Sequence, residues 1–141
     1  MDQKIKWLKI AYWTGAIADL IFGVKLMFFP KIVEFVWGLE TPIQGTDLMW
    51  SKYFGLMVFS WTFILLFANK KPLERRIVIL ITAWPVVSGI MGVQIYALAQ
   101  GLLKPNMMLY LLFSFQVFLV SLFTFSYYYS KTTITEQVIN R

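Results

Sequence analysis

The chain contains no cysteine and no histidine. Those two absences exclude disulfides, thiol catalysis, zinc fingers, iron–sulfur clusters and histidine-ligated haem. No metal and no cofactor are expected. Charge is scarce too: 14% of the residues are Asp, Glu, Lys or Arg, against about 25% in a soluble domain. What the chain has is apolar sequence, 59% of its length. It falls into four runs, residues 7–29, 49–67, 77–99 and 107–128. At about 1.5 Å of rise per residue, about 20 residues cross a hydrocarbon core about 30 Å thick. The expected fold is all-α: a polytopic transmembrane four-helix bundle forming a single membrane domain.

The first run does not read as a signal peptide. It is long, carries Asp19 and Lys25, and leads into Phe28-Phe29-Pro30 rather than a small-residue cleavage site. The net charge of +6 does not point to nucleic acid either, because the basic residues cluster at the ends of the apolar runs. That pattern reads as topology and attraction to membrane lipids. Lys4, Lys6, Lys9, Lys70, Lys71, Arg75, Arg76, Lys131 and Arg141 fall on one side, nine of the 13 basic residues. Lys25, Lys31, Lys52 and Lys104 are the most the other side can claim. The positive-inside rule then places both termini in the cytoplasm of a cell (inner) membrane.

Local signals refine this outline. In the first run Ala11, Gly15, Asp19 and Gly23 recur every four residues, a stripe that drifts slowly around a helix. Small residues at that spacing let helices approach closely in lipid. The outer connection, residues 30–47, holds a short amphipathic segment with Trp37 expected at headgroup depth, broken by Gly38 and Pro42. Thr46 or Asp47 is a candidate N-cap for the second span. In the inner connection, Pro72 and Glu74 suit the first turn of the third span. Pro85 should kink that span near mid-membrane, since it removes one backbone donor. Gly101 and Pro105 bracket a tight outer turn. Tyr127-Tyr128-Tyr129 reads as an inner aromatic belt, and residues 130–141 as a polar tail.

The segments Trp61-Thr62-Phe63-Ile64-Leu65-Leu66, Lys71-Pro72-Leu73-Glu74-Arg75-Arg76 and Thr82-Ala83-Trp84-Pro85-Val86-Val87-Ser88-Gly89, with Tyr12-Trp13-Thr14-Gly15-Ala16 and Asp19, form a spaced pattern. It resembles a group of small four-span prokaryotic membrane proteins of unassigned function, loosely similar to DoxX-like proteins. The resemblance implies a four-helix membrane bundle. It implies no catalytic residues.

Asp19 is the one acid deep within any run. An uncompensated acid at a span centre costs about 2.5–3.5 kcal/mol on insertion scales. Three answers are open. Lys52 can form an ion pair; Tyr12, Ser60, Ser88 or Gln116 can donate hydrogen bonds; or the carboxyl can be carried protonated. Lys25 lies about 240° around the helix from Asp19 at about 100° per residue, so the sequence sets it aside as a partner and reads it as snorkelling outward.

Three function classes fit. The first is a binding bundle for a lipid-like or small hydrophobic ligand, such as a hydrophobic amine. Asp19 and Gln116 would form its polar floor, Lys52, Tyr12 and Ser88 would lie nearby, and Trp13, Trp61, Trp84 and phenylalanines would form its walls. The second is a small proton-coupled transporter using Asp19. The third is an accessory or assembly protein whose small-residue stripe docks a partner membrane protein or a second copy. Enzyme activity is the weakest reading: there is no acid pair within the membrane, no phosphate loop and no base beside a hydroxyl. Asp19 as a lone acid or base on a lipid-like substrate is the one form it could take.

Overall fold

The computed structural model describes residues 3–39 and 41–139. Its helices, in chain order, are α1 (Gln3–Phe28), α2 (Pro30–Trp37), α3 (Gly45–Asn69), α4 (Ile77–Ile81), α5 (Ser88–Ala99) and α6 (Met107–Ile139). Between α4 and α5, Thr82–Val87 forms a wide helical segment, so that the three make one kinked span. Among the described residues there is no β-strand, only an isolated antiparallel bridge between Leu39 and Leu103. Gln3–Phe28, Gly45–Asn69, Ile77–Ala99 and Met107–Lys131 are each long and apolar enough to cross a membrane. The chain is therefore all-helical, and its four apolar helices suggest a membrane location. Large apolar side chains such as Phe28, Met57, Val93 and Met107 face outward, as lipid-facing residues do and as soluble surfaces rarely do.

The first span organises the bundle. α1 runs along α3 and also packs against α6, which in turn supports the third span. α3 meets the third span through α4 and through the Trp61–Thr82 bond, and beyond the kink α3 and α5 barely meet. The core accordingly lies toward the half that holds the N-terminus, where Leu8, Ala11, Tyr12, Leu65, Ile79 and Phe123 are fully buried. The small-residue stripe sets the α1–α3 crossing. A Cβ placed on Gly23 would come 2.9 Å from the carbonyl oxygen of Gly55, so glycine on both sides permits the approach.

Polar contacts fasten both ends. At the end that holds the N-terminus, Tyr12 Oη donates to the Arg75 carbonyl at 2.8 Å. The Arg75 guanidinium lies over the Phe67 ring, 3.6 Å from its centroid, and Arg76 donates to the Ser130 carbonyl at 3.3 Å. At the opposite end Gly38 adopts φ 63°, a left-handed conformation that suits glycine. Its carbonyl accepts from the Lys104 amide at 2.9 Å. Asn106 donates to the Phe35 carbonyl at 3.2 Å while its Oδ1 accepts from the Leu109 amide at 2.7 Å. One side chain thus ties α2 to the start of α6 and satisfies a free amide there.

The kink lies at Pro85, as the missing donor requires. Trp84 leaves helical geometry at φ −107°, ψ 58°. Two indoles brace the break. Trp61 Nε1 donates to Thr82 Oγ1 at 3.1 Å, and Trp84 Nε1 donates to Thr124 Oγ1 at 3.0 Å.

Several local expectations differ from the structure. The second span starts at Gly45 with Gln44 in the cap position and no side-chain cap, so Thr46 and Asp47 lie inside the first turn. Gly45 itself has φ 55° and supplies the entry bend that a capping side chain was expected to supply. Pro72 and Glu74 belong to the turn before Ile77 rather than to the span, and Glu74 pairs with Lys71 at 3.0 Å. The polar stretch after residue 130 continues α6 as far as Ile139. Arg141, counted in the charge balance, lies outside the described residues.

A cavity at Asp19

A helix of 3.6 residues per turn carries Thr14, Ile17, Ala18, Ile21 and Lys25 on one face. That face of α1 lines a cavity of about 480 Å³. Val87 and Ile90 of the third span and Leu112, Phe115, Gln116 and Leu119 of α6 complete it. The wall is mainly apolar, with Asp19, Gln116, Lys25 and Thr14 as its polar groups. Ile17, Ile21 and Phe115 are exposed, so the cavity opens sideways between α1 and α6.

Asp19 stands where the cavity face meets the packed stripe. Ala11, Gly15 and Gly23 are buried against α3 and α6, whereas Asp19 is half-buried. The four-residue spacing drifts by about 40° per step, which carries the stripe past the cavity edge at residue 19. Asp19 Oδ2 is buried with no hydrogen-bond partner, and so is Gln116 Oε1. Gln116 is 7% exposed. Two acceptors from the first and last spans therefore line one apolar space, both lacking a donor from the protein.

The other sequence candidates stand elsewhere. Lys52 is exposed on α3, which contributes nothing to the cavity, and it makes no ion pair with Asp19. Of the three answers left open, the ion pair is absent because α3 covers the opposite side of α1. Tyr12 spends its hydroxyl on the Arg75 carbonyl, near the N-terminal end of α1. Ser60 donates within its own helix to the Leu56 carbonyl at 2.8 Å. Ser88 is half-buried and lines no part of the cavity, and Trp84 braces the kink through Thr124. Neither Trp13, Trp61 nor Trp84 forms its wall; Phe22 and Phe115 supply the aromatic surface.

Two residues with a place in the structure were not foreseen. Lys25, set aside for its angle from Asp19, is the last residue of α1 that lines the cavity. The angle is right, but the cavity spans a wide arc of α1 and takes in both residues. Gln94, an amide within the third apolar run, is 4% exposed with neither its oxygen nor its nitrogen partnered. The signal that singled out Gln116, a lone amide in an apolar run, was present for Gln94 as well. Among the described residues no group of acidic side chains is arranged to hold a metal. The chain matches no protein-family description, no curated protein and no solved structure.

Proposed function

We propose that this is an integral inner-membrane protein, with both termini cytoplasmic, that binds a small amphiphile carrying an ammonium head and an apolar body in the cavity at Asp19. The DoxX-like resemblance is consistent with the bundle but carries none of this. One observation supports the reading: Asp19 and Gln116 each leave a buried oxygen without a donor in the same apolar space. A buried acceptor left unpaired costs about 1–3 kcal/mol, more when charged. A ligand with N–H donors and positive charge answers both oxygens, and its chain matches the apolar wall.

Access is lateral. Lys25 lies six residues outward from Asp19, about 9 Å along the helix axis. Its charge opposes a cation arriving from the outer rim and favours one that enters between α1 and α6 from the bilayer. The test is selectivity by head group. Native mass spectrometry of the purified protein should show dodecylammonium bound one per chain and displacing dodecanol, which has the same chain and no charge. Equal binding of the two would defeat the reading.

A further inference from the structure

A second cavity lies on the other side of the third span. It has a volume of about 690 Å³ and fills the space where α3 and α5 part. Trp37, Trp61, Pro85, Gly89 and Gln94 are in its wall, and no charged residue is. Ile90 also lines the first cavity, so the kinked span separates the two. The cavity lies beside the break at Pro85, where Trp61 ties α3 to Thr82 before the kink and Trp84 ties the kink to α6.

Its polar groups differ in kind from those at Asp19. Gln94 offers a donor and an acceptor and Trp37 Nε1 offers a donor, all buried and unpartnered. Trp37 thus turns its indole N–H into the protein. We propose that this cavity is a separate site for an uncharged lipid bearing an ester or hydroxyl head, a monoacylglycerol being the simplest. An ester carbonyl accepts from the two N–H groups, a glycerol hydroxyl donates to the Gln94 oxygen, and the acyl chain lies along the apolar wall. The absence of charge from the lining excludes an ionic head, since a charge taken into that wall would have no counter-ion.

The site is independent of the amine reading and can fail without it. The experiment is native mass spectrometry with 1-dodecanoylglycerol, dodecane and dodecylammonium on the full chain. One glyceride should bind per chain and remain bound while dodecylammonium saturates its own site. Gln94→Leu should weaken glyceride binding by about 10–100-fold, the scale of the two net hydrogen bonds it removes. Gly89→Phe is the second variant. A Cβ at Gly89 meets nothing within 4 Å, so the ring can enter the cavity without displacing the fold, and glyceride binding should be lost. Both variants should leave dodecylammonium binding unchanged. Full glyceride affinity in Gln94→Leu, displacement of glyceride by dodecane at equal concentration, or one-for-one exchange with dodecylammonium would each overturn the proposal.

Discussion

Gly23 of the first span and Gly55 of the second meet backbone to backbone, close enough that a Cβ on Gly55 would come 2.9 Å from the Gly23 carbonyl oxygen and 2.8 Å from Met27 Cγ. The crossing fixes which side of α1 is used up by α3. It thereby leaves the face from Thr14 to Lys25 for the cavity. Because the contact is backbone on one side, it cannot yield by a rotamer change. Gly55→Leu is expected to destabilise the protein by at least the 1–3 kcal/mol typical of overpacking, read as a lowered melting temperature in detergent. Gly92→Leu, where a Cβ meets nothing within 4 Å, should leave it within about 0.5 kcal/mol.

The kink braces predict a small, separable effect. Trp61→Phe and Thr82→Val each remove one side of a single bond between the second and third spans. Each should cost about 0.5–1.5 kcal/mol, and the double variant should cost less than their sum. Strict additivity in melts of the three variants would mean the bond contributes nothing.

Gln116 and Lys25 act on binding in opposite directions. Gln116→Leu removes a buried unpaired acceptor, so the ligand-free protein should melt higher while its affinity for dodecylammonium falls. Lys25→Gln removes a like charge from the cavity wall and should raise that affinity by about 2–10-fold at low salt. Titration calorimetry on both variants reads the two signs.

Topology is open to direct measurement because the chain has no native cysteine. Lys104→Cys should react with an impermeant maleimide on intact cells, and Lys70→Cys only after the membrane is opened. The reverse pattern would place the termini outside.

The spans could be read from the sequence because about 20 consecutive apolar residues have few other uses, and the kink because Pro85 cannot donate. Which helices enclose Asp19 could not be read. Lys52 has the right charge and depth, yet α3 takes the glycine side of α1, and that choice depends on a contact between Gly23 and Gly55 that no single span reveals. The place of Lys25 in the cavity wall was hidden for a related reason: helical angle tells which residues share a line, not how wide an arc a cavity will occupy. Gln94 and Trp37 are recognisable as unpartnered only once α2 and the third span are seen to face one space.

The central claim is that the Asp19 carboxylate holds the ligand's charge. Asp19→Asn keeps the shape and removes the charge, so it tests that claim most directly. In calorimetric titration the variant should lose about 10–100-fold in dodecylammonium affinity, the scale of one charge-assisted hydrogen bond, while dodecanol binds as before. Undiminished dodecylammonium affinity in Asp19→Asn would contradict the account.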